Sequence, residues 1–395
     1  MTTTGPLAGL RVLDLSRVLA GPYCTMMLSD LGAEVLKVER PGSGDQSRAW
    51  GPPFVAGEST YFMAANRGKR SVAVDVTDPR GLAVVQQLAA TADVIVENFL
   101  PGAAARLGLD RETLVGARPE VVYCSITGYP ADSPNAHRPG YDFAIQGDAG
   151  IMSVTGEVDG DPTKVGVAIA DITSGMFAAT GILAAIIEAR ATGHAPAVAV
   201  SLFGSQLAWL ANRATEVLVA RVEPERFGNA HPSLVPYETF RASDGFVNLA
   251  LGSDVQFRSF CTEAGAPELA DDPRYATNAG RVADRAELVP RLQELFGTRT
   301  VTEWIALFDR ARVPGGPIRT VPEVAADSPW AIVEHAHATA GTVRTFRSPI
   351  ALDGEHLTAR SAPPTLGQHT DEVLRELGYA GEELAELLAG PCRPG

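Results

Sequence analysis

Between residues 10 and 128 the chain alternates between two apolar patterns. Short, nearly continuous apolar runs occur at 10–15 (LRVLDL), 33–39 (AEVLKVE), 70–76 (RSVAVDV), 93–99 (DVIVENF) and 121–128 (VVYCSITG). Runs of this length, rich in Val, Ile and Leu, read as strands. Between them, 21–31, 79–90 and 102–117 carry apolar residues at helical spacing. Asp78 before Pro79 supplies a cap and a proline at the first helical position. This β–α alternation predicts an α/β fold with a doubly wound, mostly parallel sheet, a Rossmann-like large domain over 1–224. Two further runs, 165–170 and 196–203, read as strands of the same domain.

After about residue 225 the pattern changes. YETFRASDGFVNLAL (237–251) predicts a hairpin turning at Ser243-Asp244-Gly245. Helical spacing follows at 254–265, 284–297 and 300–311, which makes 225–328 a smaller α+β domain. The stretch 342–352 reads as a strand pair, and 370–378 as a surface helix with Thr370 as its cap and Gly378 at its end. The segment 329–395 is expected to return to the large domain.

Composition narrows the class. Of 395 residues, 45% are hydrophobic and 20% charged, the balance of a globular chain. A net charge of −14 argues against a nucleic-acid partner, which needs a basic face. Lysine occurs only at Lys37, Lys69 and Lys164; the other cations are arginines. The four cysteines (24, 124, 261 and 392) and seven scattered histidines make no metal spacing and no CxxC pair. A reduced, cytoplasmic protein is expected. The first residues lack the pattern of a secretory signal. The longest uncharged apolar stretch, within 172–187, reads as too short and too rich in Gly, Ser and Thr for a membrane span.

The usual nucleotide signatures are missing. The turn after the first strand, SRVLAGPYC, has no G-x-G-x-x-G, which argues against a nicotinamide or flavin. Neither a phosphate loop nor a G-x-S-x-G elbow is present. Four other stretches carry polar groups at strand ends, where doubly wound sheets bind ligands. KVERPGSGDQSRAWG offers Arg40 and Arg48 to an anion, or to solvent. VENFLPGAAARLGL offers Asn98, Phe99 and Arg106. RPGYDFAIQG places Tyr141 and Asp142 near a helix start. In KVGVAIADITSGMFAATGILAAI, Asp171 is the one ionisable side chain between Lys164 and Glu188. It sits where a helix cap belongs. It also sits where a nucleophile would have backbone N–H groups nearby. Local sequence leaves both readings open.

These motifs, taken in order with PPTLGQHTDEVL, resemble the class III acyl-CoA transferases, the formyl-CoA-transferase-like family, over about residues 6–390. WGPPFVAGESTYF, YCSITGY, AHPSLVPYETF, VPGGPI and LGQHT look most like the succinyl-CoA:dicarboxylate (glutarate) type. The resemblance implies an interlocked homodimer with no permanently bound cofactor, and coenzyme A thioester as substrate. It makes Asp171 the residue that forms a mixed anhydride and then an aspartyl-CoA thioester. It places CoA on Val18, Leu19, Ala20, Arg40, Val74, Asn98, Phe99 and Arg106, with Arg138 beside a position where relatives carry lysine. Leu19 stands where formyl-CoA transferases have glutamine, Thr77 and Pro139 where they have lysines, and LGSD (251–254) keeps only Gly252 of a glycine-rich loop. Formyl and oxalate are therefore poor substrates to expect. Substrate contacts are expected from Arg48, Tyr141 and Gly252, with Arg48 and Arg138 the candidates for a second carboxylate. The same family holds α-methylacyl-CoA racemases, which need a second base; the histidine they carry is Tyr141 here, a weak base at neutral pH. A non-catalytic CoA-binding protein is the remaining alternative.

Overall fold

The computed structural model describes residues 5–116 and 118–394. Contacts divide the chain into two units. One comprises the chain up to Ile151, Lys164–Ala220, and everything from Trp330 onward; the other comprises Met152–Thr163 and Arg221–Pro329. The short segment 152–163, read from sequence as part of the first domain, thus groups with the second unit.

The first unit is built on six strands: β1 (Arg11–Asp14), β2 (Glu34–Glu39), β3 (Lys69–Ala73), β4 (Val94–Glu97), β5 (Val122–Thr127) and β6 (Val198–Ser201). They pair in the order β3-β2-β1-β4-β5-β6. Every pairing is parallel. The chain runs outward from β1 to β3, then restarts at β4 on the other side of β1. That reversal between β1 and β4 is the topological switch point, where loops leave in opposite directions and open a crevice.

Register explains the unbroken apolar runs. Val12 lies beside Val35 and Val94, and Leu13 beside Leu36 and Ile95. The valines face one core layer and Leu13, Leu36 and Ile95 the other. Both faces are covered, so alternation with polar residues is lost. The valine face packs against α1 (Ala20–Asp30) and the long helix that follows β5 in sequence. The opposite face packs on α2 (Pro79–Thr91) and on residues of the C-terminal helices 370–376 and 381–389. Asp78 caps α2 by accepting from the Arg80 N–H, with Pro79 in the first turn, as the sequence predicts.

Two further helices complete the site's framework: α3 (Asp142–Asp148) and α4 (Ile169–Thr192). By length and composition α4 could cross a membrane, which corrects the reading that no stretch was long enough. In this fold it is a core helix packed along α1, with Ala178, Ile182 and Ala185 buried. Gly175 permits that close approach, because a Cβ there would stand 2.7 Å from the Ala20 carbonyl oxygen.

Other local readings need correction. Residues 165–168 form no strand, and α4 starts at Ile169. The expected helix over 102–117 is two short turns, Ala103–Arg106 and Arg111–Val115. Gly108 at φ 67° separates them, and Asp110 caps the second. The strand 341–346 pairs with 332–337, not with the residues after it. Thr370 is buried in the first turn rather than capping it; its hydroxyl accepts from the Ala73 N–H.

The second unit holds the predicted hairpin, β7 (Tyr237–Arg241) and β8 (Phe246–Ala250), extended by β9 (Gly315–Pro317). Helices 254–264, 285–296 and 301–311 cover it. Its core is aromatic: Phe240 stacks on Phe296 at 4.3 Å, beside Trp304.

Candidate active site

Three loops meet at the switch point: the one after β1, the one after β4, and the one between β5 and α3. Together with the start of α4 they enclose a cleft of about 390 Å³, lined by Arg17, Val18, Asn98, Arg138, Tyr141 and Asp171 among others. Gly128 and Gly140 let two of these backbones touch, since a Cβ on either would fall within 2.7 Å of the other residue's backbone. The loop bearing Arg138 and Tyr141 is thereby held against the end of β5.

Asp171 lies in the first turn of α4 and is not its cap. The residue before the helix is Ala168, which provides no side-chain cap. The helix start is held by Asp142 instead, whose Oδ1 accepts from the Ala170 N–H at 2.7 Å. Its Oδ2 accepts from Gln146 Nε2 at 2.7 Å, and Gln146 Oε1 accepts from the Val165 N–H at 2.8 Å. With the capping task taken by Asp142, the Asp171 carboxylate has no side-chain cation or hydrogen-bond donor among the described residues. It is 8% exposed. Burial, and then the nearby charge of Asp142, push its pKa up to about 7. The sequence alone suggests an ordinary carboxylate that is always ionised; its surroundings make it one that titrates near neutrality. The dipole of α4, positive at this end, favours negative charge beside it.

Among the described residues, Asp171 is the only carboxylate lining this cleft, and no histidine lines it. Its cations are Arg17 and Arg138. Arg138 is held loosely, 3.7 Å from Asp148 and 5.3 Å above the Tyr129 ring. Tyr141 is 57% exposed.

An adjoining cavity of about 210 Å³ shares Arg17 and Phe99 with the cleft and is also lined by Arg40 and Val74. The residues that the sequence singles out therefore divide. Val18, Ala20, Asn98, Phe99, Arg138, Tyr141 and Asp171 meet in the cleft. Arg40 and Val74 meet Phe99 next door. Leu19 is buried at the start of α1, and Arg106 ends the turn 103–106; neither lines the two cavities. Gly252 belongs to the second unit, where its N–H donates to Gln256 Oε1.

Two residues have other tasks than expected. Arg48 is not available to a substrate carboxylate. Its guanidinium grips both Glu39 oxygens, at 2.7 and 2.8 Å, donates to the Pro364 carbonyl, and lies 3.6 Å over the Phe62 ring. The Asn98 amide is likewise occupied: it accepts from the Arg17 N–H at 2.8 Å and donates to the Arg17 carbonyl at 2.7 Å. Asn98 shapes the first loop and does not present its amide to a base.

The sequence reading missed Lys37, Asp45 and Gln146. One signal was there: of the three lysines, Lys37 falls inside the apolar run 33–39 and Lys69 directly precedes the run 70–76. A lysine in such a place is paired or functional.

Among known proteins, the chain is 42% identical over 387 residues to the succinyl-CoA:glutarate CoA-transferase of Mus musculus, covering 97% of this chain and 89% of that protein. It is 43% identical to the succinate–glutarate CoA-transferase of Agrobacterium fabrum, covering 94% and 96%. A solved CaiB/BaiF family protein from Brucella suis superposes with a TM-score of 0.84 at 42% identity, over 94% of this chain and 99% of that one. The family model for CoA-transferase family III matches residues 7–370, so the motif order, the parallel sheet and the sequence agree, and the chain belongs to CoA-transferase family III.

Proposed function

We propose that this acyl-CoA:carboxylate CoA-transferase moves CoA from succinyl-CoA to a free dicarboxylic acid, glutarate first among acceptors, with Asp171 as the nucleophile. The relatives named above are succinate and glutarate enzymes, and they share almost the full length of this chain. The observation that carries the assignment of Asp171 is its isolation: a buried carboxylate paired with no cation among the described residues, at a helix head, in the cleft at the switch point.

The reaction follows from that chemistry. The Asp171 carboxylate attacks the thioester carbonyl, the C–S bond breaks, and a mixed anhydride and CoA thiolate result. The thiolate attacks the aspartyl carbonyl and releases succinate, leaving an aspartyl-CoA thioester. The acceptor carboxylate attacks that carbonyl, expelling the thiolate and forming a second anhydride. The thiolate then takes the new acyl group and frees Asp171. Nucleophiles and leaving groups are anions throughout, so no proton need move. A cleft without histidine suits this sequence of steps. The positive end of the α4 dipole favours the oxyanions that form beside it. Burial strips water from the carboxylate, sharpens its nucleophilicity, and protects the anhydrides from hydrolysis. Racemisation would need a second base, and among the described residues no further carboxylate and no histidine lines the cleft.

Arg138 is the cation assigned to the acceptor's second carboxylate, now that Glu39 occupies Arg48. We read the active form as a homodimer in the cytoplasm. Leu218, Val219, Trp209 and Phe143 of the first unit are 80%, 77%, 49% and 63% exposed, apolar side chains that a second copy would cover.

The test is trapping. Incubation with succinyl-CoA and hydroxylamine converts Asp171 to a hydroxamate, found by mass spectrometry of the peptide bearing it. An unmodified Asp171 during undiminished turnover would remove it as nucleophile.

A further inference from the structure

The first loop of the cleft holds an unusual backbone. Val18, a β-branched residue, has φ 69°, in the left-handed region that such side chains avoid. A residue stays there only where its surroundings hold it. Three side chains from three different segments do so. Lys37, on β2, donates from Nζ to the Ser16 carbonyl at 2.8 Å and pairs with Asp45 Oδ2 at 2.9 Å. Asp45 accepts the Val18 N–H on both oxygens, each at 3.1 Å. Asn98, after β4, closes both hydrogen bonds of the Arg17 peptide. Residues 16, 17 and 18 are thus each fixed from outside, from both sides of the switch point.

We propose that Lys37 and Asp45 are a positioning pair for the transfer reaction: they lock Val18 in its left-handed conformation and so set the cleft wall that shares the substrate with Asp171. The pair rests on the assignment of Asp171 made above and adds to it the device that shapes the cleft at Val18.

The details fit positioning better than general stability. Lys37 is wholly buried and Asp45 is 2% exposed. In a chain that otherwise uses arginine almost throughout, a lysine stands here. Its ammonium is a compact donor on a thin stem, able to reach Ser16 O and Asp45 together where a planar guanidinium would need more room. Asp45 spends its remaining capacity on the N–H and hydroxyl of Ser47, at 2.9 and 2.8 Å, so its geometry is determined on every side. Burial works against the charged form of Asp45, but the Lys37 charge and the Ser47 hydrogen bonds outweigh it and keep the carboxylate ionised.

The experiment uses the full-length chain in four forms: parent, Asp45→Asn, Lys37→Met/Asp45→Asn, and Asp45→Asn/Val18→Gly. Steady-state exchange from succinyl-CoA to glutarate and thermal unfolding are measured for each. In Asp45→Asn, kcat falls about 100-fold, the scale of a small misplacement of a reacting group. KM for succinyl-CoA moves by less than about threefold, because the lost interaction acts on the reacting geometry. Glycine adopts positive φ without being held, so adding Val18→Gly restores kcat at least about tenfold. A merely structural pair gives no such rescue. Should Asp45→Asn fail to fold, the double variant Lys37→Met/Asp45→Asn, which leaves no unpaired buried charge, is read in the same way. A folded variant with parental kcat, or a loss that Val18→Gly leaves untouched, overturns the proposal. A parent that shows no exchange at all would instead overturn the function assigned above.

Discussion

Three buried aspartates of the first unit, Asp14, Asp45 and Asp171, make a contrast. Asp14 and Asp45 are wholly or almost wholly buried, and each has a lysine against it: Lys69 at 3.0 Å and Lys37 at 2.9 Å. Burial would raise both carboxyls, yet the lysine charges and the hydroxyl and N–H donors around them hold both below the usual range. Asp171 is buried nearly as well, but its charged neighbour is Asp142, and it is pushed up to about 7. The same residue type in the same unit is a structural tie where a cation meets it and a reactive group where none does. Pairing, more than burial, separates the two roles.

The most drastic way to break that contrast is Asp171→Asn. Exchange should vanish, while the protein becomes more stable. The sign follows from proton binding. The folded carboxyl holds its proton up to about pH 7, whereas the unfolded one releases it near 3.8. The folded state therefore binds more protons between those values, and stability falls as pH rises through that window. Removing the carboxyl should raise stability at pH 8 on the order of 3 kcal/mol, read from urea unfolding. A destabilised variant would mean that Asp171 is a structural tie after all.

The opposite result is expected on the paired side. Lys69→Met removes the cation in contact with Asp14 and leaves the Lys37 charge and the donors Thr25 and Ser16. Unfolding free energy should drop by about 3–5 kcal/mol. The Asp14 and Asp45 contributions carry their own pH signature: present above the unfolded value near 3.8, they are lost as pH falls below it. A stability profile that declines on both sides of about pH 4 would display both classes of aspartate in one curve.

Much of this contrast is not written locally. The sheet was legible because its strands are continuous apolar runs whose side chains alternate between two apolar layers. The run at 165–170 misled for the same reason: VGVAIA has strand composition, but Val167 is 54% exposed and the helix begins at Ile169. Asp171 was found, yet local spacing could not show that Asp142, 29 positions away by number, takes over the capping. Arg48 was misread because its partner Glu39 sits on β2 and is brought to it only by the folded loop. Local spacing sees caps and strands; it does not see which charges meet.

Two smaller effects sharpen the comparison. Arg138→Ala should raise KM for a dicarboxylic acceptor about tenfold with kcat little changed, the mark of lost uniform binding. A monocarboxylic acceptor should be indifferent to it. A kcat that collapses for both acids would place Arg138 in the chemistry instead. The mildest change concerns pH. Since the ionised Asp171 reacts, kcat should rise with pH and level off above about 7. Asp142→Asn keeps an oxygen for the Ala170 N–H but removes a charge, so the inflection should move to lower pH. Burial, the larger cause, is untouched, and the shift should be modest; an inflection that moves upward would contradict the electrostatic account.

The central claim is that one carboxyl group is covalently used and regenerated in each cycle, and oxygen transfer reads it directly. Glutarate carrying heavy oxygen (¹⁸O) in its carboxylates is turned over with succinyl-CoA, and the peptide bearing Asp171 is then weighed. Attack by the labelled carboxylate on the aspartyl thioester, followed by cleavage on the acceptor side of the anhydride, leaves a labelled oxygen on Asp171. The account predicts label at that residue, growing with turnover and absent from other aspartates. An unlabelled Asp171 after many turnovers would contradict it.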